Sequence, residues 1–321
     1  MMYTSEESRL LSRIQEKVNV GNLDNISRTV FYRQFYERHQ EIRWALLASM
    51  VSRNAGWNMT DLESEWFQRM LSPKFRQLLF LTYERANWLI FADVYPQLLV
   101  YEYSKKAKKP LFHLLDYFFV SAFIQKEWIR FWKYQELNRL CTALIVNEQH
   151  LIQKPVIEHP VINKKVFSSL LYITEEHLHF SYVLFPTLQG ELYGYYVKHF
   201  TDVRQRIALG KRLAWLLFDS EKNHEFHQFS NRIEHTGSRN DFERFLTWKP
   251  KRKSPMLRTT FPVVTHHRHD VADWSIGKKQ VDRFFKGEMK AELHELTSWY
   301  KHKLEELVIG MKIEEWLLPK R

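Results

Sequence analysis

A chain of 321 residues that is 45% hydrophobic and 15% aromatic is long enough to bury a sizeable core and too apolar to be disordered. Nine glycines and ten prolines are too few for a strand-and-turn architecture, while one cysteine, Cys141, excludes an internal disulfide and a multi-thiolate zinc site within the chain. The formal charge of +11 leaves two readings open, a solvated basic surface or an anionic partner.

No basic segment followed by an apolar run opens the sequence, so no signal peptide is expected, and with the single cysteine this points to the cytoplasm. Leu10, Leu11, Ile14 and Val18 predict a first amphipathic helix ending near Gly21 and Asn22. Phe31, Tyr32, Phe35 and Tyr36 repeat the spacing in a second. The third segment, Glu41 to Asp61, is apolar almost all the way round between Trp44 and Val51, which predicts a buried helix. Arg43, Arg53 and Asn54 sit at the two ends of that apolar stretch, and Gly56 is expected to stop the helix. Thr60-Asp61-Leu62-Glu63 has the form of a capping box for the next helix, and Ser72-Pro73 that of an N-cap with proline at the first helical position.

Further helices are predicted near 73–104, with a kink at Pro96, then over 110–135 and 136–152, the last ending before Pro155 and Pro160. Glu175 and Glu176 suit the start of a helix after Thr174. Ile207, Gly210, Leu213, Ala214 and Leu217 share one face of another. Residues 248–275 hold Pro250, Pro255, Pro262 and the β-branched run Thr259–Val264, which reads as an irregular or extended excursion. An amphipathic helix near 288–309 and a short Ile313–Leu318 piece close the chain. The best membrane-span candidate, Leu111–Phe123, is too short and carries His113 and Asp116. The expected fold is all-α: a single large helical domain over 1–321 with one excursion, and residues 153–160 as the place where it would subdivide.

Absent signatures narrow the chemistry most: there is no P-loop, no Gly-x-Gly-x-x-Gly, no Gly-x-Ser-x-Gly and no His-Glu-x-x-His. The first candidate site is the polar set on the apolar helices. Eleven residues separate Arg43 from Asn54; at about 100° per residue they fall within roughly 20° of one stripe. A second helix ends in Asn147-Glu148-Gln149-His150, and a third carries Glu84, Arg85, Asn87 and Asp93 among Trp88, Leu89, Ile90 and Phe91. Antiparallel packing is expected to bring Glu148 or Glu84 against Arg43 or Arg53. Such a cluster is either a buried network that fixes helix register or a pocket in which an arginine fork meets a carboxylate or phosphate.

The second candidate is Glu234-His235-Thr236-Gly237-Ser238-Arg239-Asn240-Asp241, where Gly237 permits a turn, Ser238 caps a helix and Asp241 takes the capping-box position. It is either an ordinary capped turn or an anion site built with His235 and Arg239. The third, Thr265-His266-His267-Arg268-His269-Asp270, offers metal-ligand types. Its His269-Asp270 pair resembles the HD-domain phosphohydrolases, but that family wants another acidic ligand well downstream and the last Asp here is Asp282, so no metal site is expected. His224 with His227, and Glu175 with His179, are pairs that a chain with fifteen histidines produces by chance. Lys105, Lys106, Lys108 and Lys109 before Pro110, and Lys249, Lys251, Arg252 and Lys253 around Pro250, are solvated loops or basic patches.

The run Phe31-Tyr32-x-x-Phe35-Tyr36-x-x-His39-x-Glu41-Ile42-Arg43-Trp44-Ala45, continuing through Met50 to Met59, resembles the YppC-like family of Bacillus-type bacteria, and Glu234–Arg239 fits the same family. The resemblance covers most of the chain and implies a bacterial cytosolic protein. That family is a domain of unknown function, so it transfers no reaction, cofactor or catalytic residue. Three functions from different classes stay open. The first is a helical binding or interaction protein in which Arg43, Arg53, Asn54, Glu84, Asn147, Glu148, His235, Ser238 and Arg239 form the polar cluster. The second is an enzyme acting on a small anionic or phosphorylated substrate, anchored by Arg43, Arg53 or Arg239, with Glu148 or His235 moving a proton. The third is a basic protein touching nucleic acid or an anionic membrane surface. No motif names a cofactor.

Overall fold

The computed structural model describes residues 3–162, 164, 182–197, 199–250, 253–268, 272–278, 281–286 and 291–306. α1 (Ser5–Gly21) opens with a complete capping box between Thr4 and Glu7. α2 (Asn25–Arg38) is capped by Asp24, whose carboxylate accepts from the Ser27 N–H at 2.7 Å. α3 (Arg43–Asp61) returns antiparallel to α2, since Asn25 meets Ser52 and Tyr32 meets Trp44.

α3 runs through Gly56, where the sequence predicted its end. A Cβ at that position would lie 2.6 Å from His235 Nε2 and nearer still to Asn25 Oδ1. The glycine therefore makes room for a side-chain contact, and its helix-weakening tendency is overridden by packing on both sides. Thr60 and Asp61 accordingly belong to the last turn of α3, and Ser64 rather than Thr60 precedes α4 (Glu65–Met70).

α5 (Pro73–Ala107) starts as expected, with the Ser72 hydroxyl accepting from the Phe75 N–H and proline at the first position, and continues through Pro96. A 3-10 turn over Phe112–Phe118 leads to α6 (Ala122–Tyr134) and α7 (Leu137–Leu151). One π turn, Gln153–Ile157, carries the chain past Pro155. The sequence reading had no counterpart for what comes later, an antiparallel hairpin of β1 (Tyr182–Pro186) and β2 (Leu192–Tyr196) with Leu184 opposite Gly194. α8 (Val203–Phe218) and α9 (Asn223–Arg232) follow, and 297–306 is helical. Between them the described residues are irregular apart from short helical turns, among them Asn240–Glu243 and Leu257–Thr260. The helix expected after Thr174 (with Glu175, Glu176 and His179) and the Ile313–Leu318 piece lie outside the described residues.

The fold among these residues is mostly helical, as expected, with the hairpin as its one sheet. The larger core packs Phe35, Trp44, Met50, Leu98, Trp128 and Leu144 together with many neighbours, and a smaller one holds Met59, Leu62, Phe67, Leu79 and Phe80. α3 supplies residues to both. A helix buried at each end cannot send its polar side chains to water, so each must find a partner inside the protein. No helix among the described residues is long and apolar enough to cross a membrane.

Candidate functional site

The polar side chains of α3 fasten a series of different segments. The hydroxyl of Ser49 donates to Thr29 O, and Ser52 Oγ receives both the Thr29 hydroxyl and Asn25 Nδ2, which holds α2. Arg53 Nη2 donates to Ser230 O at 3.1 Å and Ile233 O at 2.7 Å, at the C-terminal end of α9. Asn54 pairs with β1 as a second peptide group would: its Nδ2 donates to Leu184 O at 2.8 Å while its Oδ1 accepts from Leu184 N at 2.7 Å. Trp57 Nε1 donates to Asp241, and the Thr60 hydroxyl to Gly237 O at 2.6 Å. Asp61 and Asn58 both receive the Arg239 guanidinium, the latter at 2.9 Å.

The second half of α3 thus meets the second sequence candidate, the 233–241 loop. Arg53, Asn54, His235, Ser238 and Arg239, drawn from two separated stretches, share one buried region. Asp241 is the loop's anchor, accepting from the Thr236 N–H and hydroxyl as well as from Trp57. Burial pushes Asp241 upward, yet the bonds from His235, Thr236 and Trp57 outweigh it and hold the carboxyl below its ordinary value. For His235 burial dominates and pulls the imidazole down. Its Nε2 lies 2.8 Å from Asn25 Oδ1 and its Nδ1 3.3 Å from Asp241 Oδ2, so a neutral ring donates to one of these oxygens and a protonated ring to both. Ser238 bonds Ser254 O at 2.7 Å and the Arg239 N–H bonds Ser254 Oγ at 2.8 Å, tying on the start of the excursion.

Beside this network opens a cleft of about 1230 Å³. One part of its lining, Glu63 to Gln68, continues directly from the end of α3. Another, Asn240 to Pro255, continues from the 233–241 loop and brings Arg244, Lys249 and Lys253. The acidic lining residues Glu63 and Glu65 are engaged by Arg76 and Arg69.

The other candidates are placed elsewhere. Arg43 shares a stripe with Asn54 but lies roughly 16 Å away along the axis. It donates to Asn138 and Asp219 beside a separate cavity of about 400 Å³. Glu84 pairs with Arg28 of α2, not with Arg43 or Arg53, because α5 runs alongside α2 from Glu84 to Glu102, as the Phe31–Phe91, Tyr32–Tyr95 and Arg38–Glu102 contacts show. Glu148 accepts from Trp44 Nε1 at 3.0 Å, and no lysine, arginine or histidine forms an ion pair with it among the described residues. Burial raises its carboxyl to about 7. Asn147 accepts from Ser121 and Trp274 and donates to Asp93, whose carboxyl burial also raises. No group of three or more His, Cys, Asp or Glu side chains among the described residues is arranged to hold a metal ion. His269 and Asp270 lie outside those residues. His227 bonds Leu217 O and His224 bonds Gln228.

Arg28 escaped the sequence reading, although a signal for it exists: it precedes Tyr32 by four residues and Phe35 by seven, so it belongs to their buried face. Asn25, Asn58 and Asp61 leave a weaker trace, since each is an ordinary polar residue until the 233–241 loop packs against it.

The chain belongs to the family described as "Protein of unknown function (DUF2515)", whose profile matches residues 21–301, a stretch that includes both α3 and the 233–241 loop. Within that class it is similar to "Uncharacterized protein YppC" of Bacillus subtilis (strain 168), with 47% identity over 310 residues, 96% of each chain. The likeness seen in Phe31–Met59 and Glu234–Arg239 therefore extends over almost the whole sequence. Neither description names a ligand or a reaction. No solved structure matches the chain.

Proposed function

We propose that this protein is a helical binding protein in which the polar cluster on α3 is a structural lock and the adjacent cleft receives the ligand. The observation behind this reading is the lock's position. The bonds from Arg239 to Asp61 and Asn58, from Thr60 to Gly237, and from Ser238 and Arg239 to Ser254 join the two segments that continue into the cleft lining. Holding those segments in register fixes the shape of the opening before any ligand arrives. His235 and Glu148, the two proton-transfer candidates of the enzyme reading, line neither this cleft nor the cavity beside Arg43. With Glu63 and Glu65 engaged by arginines and Glu243 accepting from the Tyr300 hydroxyl, the cleft presents Arg244, Lys249 and Lys253 to an anionic ligand.

The nucleic-acid reading draws less support. Lys105 is paired with Glu41 just before α3, while Ser254 is tied to the Arg239–Asp61 pair at the other end of that helix. The two basic clusters are therefore separated by roughly 28 Å, the length of α3. Cytosolic residence accords with the buried free thiol of Cys141. A single domain accords with α3 packing against elements on both sides of residues 153–160.

A thermal-shift screen of metal ions, nucleotides and metabolites tests the proposal. An anionic compound present at about 100 times its dissociation constant adds about 2.7 kcal/mol. It should be recovered chemically unchanged, and Arg244→Glu or Lys253→Glu should abolish its effect without moving the unliganded Tm. Conversion of the compound to a product would make the protein an enzyme. Absence of any hit, or hits indifferent to both charge reversals, would remove the cleft from consideration.

A further inference from the structure

A third cavity, of about 370 Å³, lies where residues 263–268 cover the end of α1 and the Trp88 face of α5. Its volume and mostly apolar lining, which includes Val18, Leu23, Trp88 and Phe119, are those of a small-molecule pocket. Two polar residues of the lining, His266 and Arg268, each carry a buried nitrogen (Nε2 and Nε) that bonds to nothing. Next to it, Arg28 Nε and Glu84 Oε1 are likewise buried without partners, and Arg28 bonds Asn22, itself a lining residue. Buried polar atoms are seldom left unbonded, and four of them lie in or just behind the wall of one cavity, two on residues that line it.

The charges fix the ligand's sign. Arg28, Arg85 and Arg268 surround the pocket, against Glu84 and Asp93. Burial together with Arg85 and Arg28 holds His266 down to about 4, which reports the same positive field. One cation is left uncompensated, which suits a single negative charge better than a phosphate dianion. The rim shows what the remainder of the ligand resembles. Leu23, Tyr117, Phe119 and Val263, among the most exposed large hydrophobic residues described, all line this one opening. Phe119 is held there at a φ of 54°, a left-handed conformation that bulky side chains rarely adopt.

We propose that this cavity binds a small amphiphilic monocarboxylic acid, with its apolar body against Trp88, Leu23 and Phe119 and its carboxylate received by Arg268 and His266. A carboxylate at this wall brings the charge opposite to that of the arginines, and an apolar body covers the exposed rim. The site shares no residue with the cleft described above, so either assignment can fail without the other.

Calorimetry on the full chain tests this with 3-phenylpropionate and octanoate, each against its primary amide. The acids should bind saturably and about tenfold or more tightly than the amides, the margin expected of charge-assisted bonds. His266→Leu should weaken the acids by about tenfold. Val263→Glu, at a rim position 60% exposed and tolerant of substitution, should weaken them through charge repulsion. Arg244→Glu in the cleft should leave them unchanged. Amides that bind as well as acids, affinity unaltered by His266→Leu or Val263→Glu, or no saturable binding to the folded wild type would each overturn the assignment.

Discussion

Gly56→Ala sets two effects of opposite sign against each other. In the interior of a helix alanine is favoured over glycine by about 1 kcal/mol, so at a neutral site the substitution stabilises. Gly56, however, is covered by the Asn25–His235 hydrogen bond, and a new Cβ would sit 2.6 Å from His235 Nε2, well inside van der Waals contact. Either the helix and loop move apart, which as overpacking costs about 1–3 kcal/mol, or the bond breaks and leaves buried polar groups unpaired at about 1–3 kcal/mol each. Subtracting the propensity gain leaves a net loss of up to about 2 kcal/mol by the first route and about 1–5 kcal/mol by the second. Urea denaturation followed by the fluorescence of the eleven tryptophans should show the midpoint falling in Gly56→Ala. In a His235→Ala background part of the clash is gone, so the same substitution should cost at least about 1 kcal/mol less. A Gly56→Ala protein as stable as wild type, or equal costs in the two backgrounds, would refute the argument that Gly56 is there to admit the loop.

Four further substitutions test other joints. Asn54→Asp keeps an acceptor for the Leu184 N–H but turns a carboxylate towards the carbonyls of Leu184 and Met50. It should cost about 3 kcal/mol and speed amide exchange over 182–196; unchanged exchange there would count against the clamp. Asp61→Asn and Arg239→Gln each break a buried pair at about 3–5 kcal/mol, so the double variant should lose clearly less than the sum. Strict additivity would remove the pair from the lock. Glu148 has a folded value of about 7 against an ordinary 4.5, so its stability contribution is complete below about 4.5 and lost as pH rises through 7. The loss amounts to about 1–3 kcal/mol for this half-buried group. Glu148→Gln keeps an acceptor for Trp44 and should flatten that slope between pH 5 and pH 8; parallel slopes in the two proteins would sink this reading.

What the sequence made legible was the identity of the elements; what it hid was the choice of partners. The Ser72-Pro73 start of α5 and the buried character of Trp44–Val51 follow from local chemistry, so both were readable. Gly56 was misread because its role depends on Asn25 and His235, which are 31 residues before it and 179 residues after it in the chain. Angular periodicity set Arg43 and Asn54 on one stripe but carried no information about separation along the axis, which takes them to different neighbours. Glu84 found Arg28 instead of the α3 arginines because helix packing, not spacing, decides which faces meet. The hairpin was missed for a related reason. Tyr182–Pro186 and Leu192–Tyr196 are short, and their burial on both faces erases the alternation that identifies a half-exposed strand.

Unbonded atoms do not by themselves separate a lock from a site, and Arg53 shows why. It is buried with two unbonded nitrogens, Nε and Nη1, and without a carboxylate, a description that could equally fit a ligand-binding arginine. Its surroundings answer most of that charge. The carbonyls of Ser230 and Ile233 that it binds terminate α9, where the partial negative charge of a helix end favours a cation, and its guanidinium lies 5.8 Å from the centre of the Phe229 ring. Burial lowers Arg53 only to about 10, so it remains charged at neutral pH. His266 and Arg268 differ in the one respect that matters for binding: their unbonded nitrogens belong to residues that border open space rather than packed protein. An unmet hydrogen bond becomes a recognition element only where a ligand can reach it. On the proposed reading the α3 network, despite being the most conspicuous polarity in the sequence, builds the frame, and recognition falls to the cleft and the pocket by Trp88, which border open space.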